Sequence, residues 1–366
     1  MKRYKAVDII KGLAMVLVIL VHYNQSFYSN ISLLRFFQMG CQVFFVASGF
    51  GAAASFSRKR NDTSYKVASK LFYISRLKSI VPSWYLMILV IYCINTLLII
   101  LTGHTLSFGY NRGILSIICN LLFLNGLLPF CNNDVMPGGW YIGTAMLFYL
   151  ITPLLYLFYE KMGSLKGKRS LCLILSILSV GSVVLLLILF PQREFFLYNN
   201  ILTNFPCFAL GMLLFFENNE QSLSKKRAVI YEIVGIVAGV IAIKLFFNPF
   251  YYSYVLTVVL VGLSTYFVLR FMIYYEHSNG YNRLFNPLIW MGGKSFYVYL
   301  VHCFFVWDFA ATVKRALNGI GITGDSYIVF FALMPVVILL SYYMGCILQY
   351  IVKKITAVVF KKKADL

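Results

Sequence analysis

The run Leu171-Cys-Leu-Ile-Leu-Ser-Ile-Leu-Ser-Val-Gly-Ser-Val-Val-Leu-Leu-Leu-Ile-Leu-Phe190 contains no charged residue. A helix of this length extends about 30 Å, which is the thickness of the hydrocarbon core of a bilayer. Similar apolar runs lie at 7–27, 33–57, 79–102, 140–159, 204–217, 228–247, 253–274, 287–309 and 327–352. The pattern therefore predicts an all-α integral membrane protein, a bundle of about ten transmembrane helices.

The composition of the 366-residue chain agrees with this prediction. Hydrophobic residues make up 60% of the chain and charged residues only 12%, whereas soluble domains average about 25% charged residues. The net charge of +20 would suggest a nucleic-acid partner if the basic residues formed one face of a compact domain. They lie instead in short clusters between apolar runs, so we expect membrane lipid and anionic substrates as partners, and no nucleic acid.

The distribution of Lys and Arg predicts the orientation of the helices, because cytoplasmic loops collect these residues. Ten spans with cytoplasmic N- and C-termini leave six of the 32 Lys and Arg outside, namely Arg35, Arg112, Arg193, Lys244, Lys314 and Arg315. A shorter apolar run at 114–128 would reverse every later span if it crossed the membrane. We therefore expect it to be re-entrant or to lie on the surface.

No repeat, linker or change of composition divides the chain. We expect residues 1–366 to form a single transmembrane domain with no separate soluble domain, so its chemistry must come from helices and short loops. The eight cysteines show no CxxC spacing and no grouping with His of the kind that metal sites need. This pattern predicts free thiols and no metal site.

Two histidines lie deep within apolar runs, where ionisable groups are costly and usually mark function. His22 and His302 each follow the expected start of a span, at Asp8 and Leu288, by 14 residues, so both imidazoles fall at about one depth. An imidazole titrates near neutral pH and is the usual base for proton transfer. The alternative is that each ring only hydrogen-bonds a neighbouring helix.

The first span carries two further ionisable residues. Asp8 and Lys11 are three residues apart, and His22 follows Lys11 by eleven, so all three share one helix face. This shared face favours a common function for the three residues. The alternative is an ion pair between Asp8 and Lys11 at the membrane interface, with an unrelated His above it.

The segment from Arg58 to Lys78 carries seven cations and one acid, Asp62. We expect a flexible cytoplasmic loop that contacts anionic lipid. Arg76 and Lys78 end this segment just before Val81-Pro82, where we expect a span to start. They are placed to hold a phosphorylated cofactor at the membrane surface.

Five segments, in order, resemble the membrane-bound acyltransferase-3 family. They are Asp8-Ile-Ile-Lys11-Gly12 followed by Leu20-Val21-His22, Gly40 to Phe50 (GCQVFFVASGF), Arg76 to Tyr85 (RLKSIVPSWY), Gly138 to Gly143 (GGWYIG) with Phe148-Tyr149-Leu150 and Pro153-Leu154, and Lys294 to His302 (KSFYVYLVH). Each segment alone is weak evidence for the family, since apolar helices contain such short sequence patterns by chance. Together they cover most of the chain in the right order.

The resemblance implies an enzyme of a bacterial cell membrane that transfers an acyl group, usually acetyl, from cytosolic acyl-CoA to a carbohydrate of the cell envelope. The donor would be acetyl-CoA or another acyl-CoA, and no metal is implied. The family's essential first-helix His and its neighbouring basic residue map onto His22 and Lys11. Its basic stretch maps onto Arg76, with the second basic position shifted to Lys78 or lost at Ser79.

The chain departs from the family pattern at two further positions. Lys11 stands where Arg is commoner, and Lys cannot form the bidentate fork that Arg makes with a phosphate. Trp140-Tyr-Ile-Gly-Thr-Ala145 stands where many members have W-S-x-x-x-E, so the carboxylate of that motif is absent.

The mechanism we expect is direct transfer from a thioester to a sugar hydroxyl, with His22 as the general base. Lys11, steadied by Asp8, and the Arg76/Lys78 edge would bind the donor phosphates, and His302 is a second catalytic candidate. The candidate donors to the oxyanion and the substrate are Ser48, Trp140 and Tyr299. A covalent acyl-enzyme remains an alternative.

Two other classes of protein fit many apolar helices with buried ionisable groups. One is a transporter or flippase of a lipid-linked glycan, although the two halves of the chain show no matched pair of interrupted helices. The other is a non-catalytic subunit of a polymer export machine.

Overall fold

The computed structural model describes residues 4–27, 31–106, 113–190, 200–248 and 253–361. Its α-helices are α1 (Lys5–Gln25), α2 (Gly40–Asp62), α3 (Tyr65–Thr102), α4 (Ile114–Leu121), α5 (Gly139–Lys161), α6 (Leu165–Leu189), α7 (Ile201–Glu220), α8 (Lys225–Phe246), α9 (Ser253–Ser278), α10 (Asn286–Cys303), α11 (Ala310–Gly319) and α12 (Tyr327–Lys361). Short 3-10 helices are formed by Ser32–Met39, Leu124–Gly126, Pro129–Cys131 and Arg283–Phe285. A π-helical turn, Phe304–Phe309, joins α10 to α11.

Ten helical stretches of the described chain are long and apolar enough to cross a membrane. They coincide with the ten apolar runs of the sequence, so the prediction of an all-α integral membrane bundle is confirmed. The run at 114–128 forms only the eight-residue helix α4 and a 3-10 turn. At about 12 Å, α4 is too short to span, and the Trp84 indole, donating to the carbonyl oxygen of Asn120 at 2.8 Å, holds it against α3.

The expectation of a flexible loop from Arg58 to Lys78 is wrong. α2 continues to Asp62 and α3 begins at Tyr65, so only two residues separate the helices. α3 is 38 residues long, or about 57 Å, and Pro82 lies inside it rather than near its start. Lys and Arg are good helix formers, so charge excludes this stretch from hydrocarbon without preventing it from being helical.

The ninth span is also longer than its apolar run. The run ends at residue 309, whereas the helical path continues through the π-helical turn and α11 to Gly319. Hydropathy marks where a helix leaves the lipid, not where its hydrogen bonding ends.

Interhelical ion pairs collect at the end of the bundle where α1 begins and α2 ends, which we call the basic end. Lys168 Nζ lies 2.9 Å from a Glu220 carboxylate oxygen, and Arg169 Nε lies 2.6 Å from one of Glu217. These pairs join the start of α6 to the end of α7. Buried Glu217 therefore has a cationic partner, as burial of a carboxylate requires.

Two glycines allow α1 and α10 to cross at backbone contact. A Cβ on Gly12 would lie 2.1 Å from the carbonyl oxygen of Leu288, and one on Gly292 would lie 1.8 Å from that of Asp8. Neither position accepts a side chain without moving a backbone. Small residues at such crossings let membrane helices pack closely, and this crossing sets the relative position of the residues described next.

Candidate functional site

The imidazoles of His22 and His302 pack against each other, with ring centroids 5.4 Å apart. His22 lies in the last turn of α1, and His302 is the penultimate residue of α10. Each follows its crossing glycine, Gly12 or Gly292, by ten residues. Because both helices rise by about 15 Å over that interval, the crossing places the two rings, which we call the His pair, at one height.

His302 has a defined hydrogen-bonding state. Its side chain is 0% exposed, and Nδ1 donates to the carbonyl oxygen of Tyr299 at 2.7 Å. A carbonyl oxygen only accepts, so Nδ1 carries the hydrogen and Nε2 of the neutral ring keeps its lone pair. Nε2 lies 3.6 Å from the Cys303 sulfur.

His22 is more open than its partner. Its Nδ1 lies 3.2 Å from the side-chain oxygen of Gln25, which accepts the hydrogen bond. This leaves Nε2 as the basic nitrogen. The indole ring of Trp307 packs edge-on against the imidazole, with centroids 5.1 Å apart. The ring is thus held at one nitrogen and by one face, with a lone pair available at the other nitrogen.

Trp307 belongs to the π-helical turn Phe304–Phe309, which begins two residues after His302. Such turns are rare, and they occur frequently at functional sites. The wider turn changes the direction in which the following side chains leave the helix. It brings Trp307 to the ring of His22 while His302, one turn earlier, also packs on it.

A cavity of about 250 Å³ lies closer to the basic end, between α1, α2, α3, α5 and α10. Its polar lining residues are Lys11, Ser48, Arg76, Ser79, Tyr141, Tyr149, Ser295, Tyr297 and Tyr299. We call it the cationic cavity. Two cations with several hydroxyls in one space suit a ligand that carries phosphate groups.

Arg76 is oriented by aromatic rings. Its guanidinium carbon lies 4.7 Å from the ring centroid of Tyr149 and 5.0 Å from that of Phe72. One terminal nitrogen donates to the carbonyl oxygen of Gly51 at 3.4 Å, whereas buried Nε has no hydrogen-bond partner within the described part of the chain. Contact with two rings fixes the plane of the guanidinium fork, which favours bidentate binding of an anion.

Tyr299 connects the cationic cavity to the His pair. It lines the cavity, and its ring centroid lies 5.0 Å from that of Tyr141 and 5.4 Å from that of His302. Its hydroxyl donates to the carbonyl oxygen of Gly138 at 2.9 Å. Gly138 has a φ of +71°, which Gly adopts without strain. One tyrosine ring therefore separates the two parts of the site.

The structure brings Lys11, Ser48, Arg76 and Tyr299 to the cationic cavity, and His22 and His302 to one ring contact. Three other candidates from the sequence, Asp8, Lys78 and Trp140, do not line this cavity.

Asp8 and Trp140 are buried in α1 and α5. Lys78 is exposed, because two residues turn an α-helix by about 200° and so place Lys78 on the opposite face from Arg76. The roles expected for these three residues stay predictions.

Sequence reasoning did not single out Gln25 and Trp307, and it named Tyr149 only as part of a family segment. Tyr and Trp are common in membrane spans, so their identity alone carries no signal. Gln25 follows His22 by three residues, a spacing at which helical side chains meet, and that spacing was the available signal.

All eight cysteines are free thiols. Among the described residues, no group of three or more His, Cys, Asp and Glu side chains is arranged to hold a metal ion.

The model of the acyltransferase-3 family, described as an acyltransferase domain, matches residues 4–346. This match covers nearly the whole chain, and the chain belongs to this family. The resemblance of the five segments is thereby confirmed, and the protein is a membrane acyltransferase. No curated protein and no solved structure matches the chain.

Proposed function

We propose that this acyltransferase moves an acyl group, which we expect to be acetyl, from cytosolic acyl-CoA to a hydroxyl of a cell-envelope carbohydrate. The observation that carries the proposal is the His pair, separated by the Tyr299 ring from a cavity that holds Lys11 and Arg76. One part of the site suits proton transfer and the other suits an anionic donor.

The donor would bind in the cationic cavity. The oriented guanidinium of Arg76 suits a CoA phosphate, and Lys11 adds a second positive charge. Lys11 and His22 are eleven residues apart on α1, or about 16 Å. The pantetheine arm would therefore pass Tyr299 to bring the thioester to the His pair.

His22 would act as the general base. Nε2 takes the proton of the acceptor hydroxyl as its oxygen attacks the thioester carbonyl. The resulting tetrahedral intermediate expels the CoA thiolate, which receives the proton from His22. One ester bond forms, one thioester bond breaks, and the products are the acylated carbohydrate and CoA thiol.

The tetrahedral intermediate carries a negative oxygen that requires hydrogen-bond donors. The Tyr299 ring lies between the cationic cavity and His302, but its hydroxyl has one hydrogen and donates it to Gly138, so it would have to exchange that bond for one to the oxyanion. Ser48 lines the same cavity. Trp140 packs behind Tyr141, with ring centroids 6.2 Å apart.

The orientation belongs to the same proposal. Ten spans with both termini in the cytoplasm of a bacterial cell place the basic end at the cytoplasmic face, where acyl-CoA is available. The same orientation puts the His pair beyond the midplane, toward the envelope.

Transfer of labelled acetyl from acetyl-CoA to envelope carbohydrate tests the proposal. Membranes would carry the wild type, His22→Ala, or the matched control His104→Ala, which removes an exposed His after α3. We expect transfer by the wild type and the control. Loss of a general base lowers rates by about 10²- to 10⁴-fold, so His22→Ala should transfer at background level while it still binds a CoA analogue.

Three results contradict parts of this proposal. Transfer at the wild-type rate by folded His22→Ala would exclude His22 as the base. Binding of CoA analogues without acetyl transfer would exclude acetyl-CoA as the donor. Absence of both CoA-analogue binding and acetyl transfer would exclude an acyl-CoA donor altogether.

A further inference from the structure

A second cavity, of about 330 Å³, opens at the end of the bundle opposite to the basic end. It is lined by Val21, Asn24, Gln25, Arg35 and Gln38. We call it the Arg35 cavity. Four of its five lining residues are polar, and it shares no lining residue with the cationic cavity.

The Arg35 cavity is connected to the catalytic candidate His22 through Gln25. Gln25 lines the cavity and accepts the hydrogen bond from Nδ1 of His22. Val21, the residue before His22, also lines it. A ligand in this cavity would therefore lie next to Gln25, on the Nδ1 side of the imidazole, and its hydroxyl would have to extend past this edge of the ring to reach Nε2.

The wall of the cavity is structurally fixed by Asn24. Its side-chain oxygen accepts from the backbone N–H of Ile31 at 2.7 Å, and its amide nitrogen donates to the carbonyl oxygen of Ile31 at 3.2 Å. These bonds tie α1 to the segment before the 3-10 helix Ser32–Met39, which carries Arg35 and Gln38. Exposed Arg35 and half-buried Gln38 thus line the cavity beside α1.

The lining chemistry favours an anionic carbohydrate. Arg binds carboxylate and phosphate groups through paired N–H donors, and the amides of Gln25 and Gln38 both donate and accept, as hydroxyl recognition requires. Two other cations at this end contact neighbouring side chains. Lys314 pairs with Asp325 at 3.0 Å, and Arg315 donates to the Thr312 hydroxyl at 3.3 Å.

We propose that the Arg35 cavity binds the acceptor through an anionic group, so that a neighbouring sugar hydroxyl meets His22. The group is a carboxylate of an acidic sugar or a phosphate that joins the glycan to a lipid carrier. This inference rests on the proposed function and names the class of its acceptor. Donor and acceptor then approach the His pair from opposite ends of the bundle.

The test uses the full-length protein in membranes, acetyl-CoA labelled in the acetyl group, and the total envelope carbohydrate as the acceptor pool. Arg35→Gln is compared with Arg315→Gln, which removes an exposed cation at the same end without touching the cavity. Binding of a CoA analogue is measured on all proteins. Labelled carbohydrate is then separated by anion exchange, before and after carboxyl reduction or mild acid cleavage of sugar phosphates.

We expect the labelled product of the wild type to be anionic. Arg35→Gln should label at least about tenfold less at limiting acceptor, since a charge-assisted hydrogen bond is lost, with unchanged CoA-analogue binding. Arg315→Gln should match the wild type. Loss of anionic character on carboxyl reduction identifies an acidic sugar, and loss on mild acid treatment identifies a lipid phosphate.

A neutral labelled product, or wild-type labelling by Arg35→Gln, would overturn the inference while leaving the acyltransferase mechanism intact. Failure of the wild type to label any carbohydrate would instead remove the proposed function, and the inference with it. The two failures are therefore distinguishable.

Discussion

The His pair and the cationic cavity share α1 but are held in different ways. The His pair depends on backbone contact, because Gly12 and Gly292 bring α1 and α10 together ten residues before the imidazoles. The cationic cavity depends on side chains from five helices, and Arg76 is held by the rings of Phe72 and Tyr149.

This difference predicts which substitutions impair each part of the site. Packing changes at the helix crossing should disturb proton transfer more than donor binding, because the rings lie at the far end of both helices. Charge changes in the cationic cavity should disturb donor binding more than proton transfer. Three substitutions test the contrast.

The largest effect is expected from Gly292→Ala. Its Cβ would lie 1.8 Å from the carbonyl oxygen of Asp8, so α1 and α10 must separate. We expect the free energy of unfolding to fall by about 1–3 kcal/mol, as for other overpacked sites, and acyl transfer to fall more than CoA-analogue affinity. Thermal unfolding in detergent and a transfer assay measure the two effects.

The matched control is Gly181→Ala in α6, where an added Cβ meets nothing within 4 Å. It should unfold and transfer like the wild type. A Gly292→Ala protein as stable and active as this control would show that the crossing does not position the His pair.

An intermediate effect is expected from Arg76→Lys, which keeps the charge and removes the planar fork. The KM for acyl-CoA should rise about tenfold, the equivalent of about 1.4 kcal/mol, with kcat changed less. Lys78→Gln, on the opposite face of α3, should leave the KM close to the wild-type value. Equal effects of the two substitutions would contradict donor binding in the cationic cavity.

The smallest effect is expected from Tyr299→Phe, which keeps the ring between the two parts and removes only the hydroxyl. Loss of its hydrogen bond to Gly138 should lower the free energy of unfolding by about 1 kcal/mol. If the hydroxyl exchanges this bond for one to the oxyanion during the reaction, kcat should fall while the KM for acyl-CoA stays constant. An unchanged kcat would leave Ser48 and Trp140 as the donor candidates.

The ten spans were predictable because a 20-residue apolar run and its flanking cations report directly on lipid contact. The helical state of the segment from Arg58 to Lys78 was not predictable in the same way. That segment is charged, and hydropathy says nothing about hydrogen bonding outside the lipid. Likewise, Lys78 was grouped with Arg76 by its place in the sequence, whereas helix rotation separates them.

The equal depth of His22 and His302 could be inferred from residue counts, but their contact could not. The contact requires the α1–α10 crossing, which only tertiary structure fixes. Gly12 stood in the first family segment, and the carbonyl oxygen of Leu288 gives a physical reason for Gly at that position. The contact of Trp307 with His22 could not be inferred from the sequence, because a π-helical turn breaks the spacing from which helix faces are inferred.

Because of the π-helical turn, the number of residues between His302 and α11 determines the direction in which α11 faces. Each residue added to or removed from a helix rotates everything beyond it by about 100°. Deleting one residue within Phe304–Phe309 would restore ordinary helical spacing and leave His302 in place, yet turn α11 with Lys314 away from Ser26 and Asp325. A single-codon deletion there should therefore be more damaging than most substitutions in the same turn.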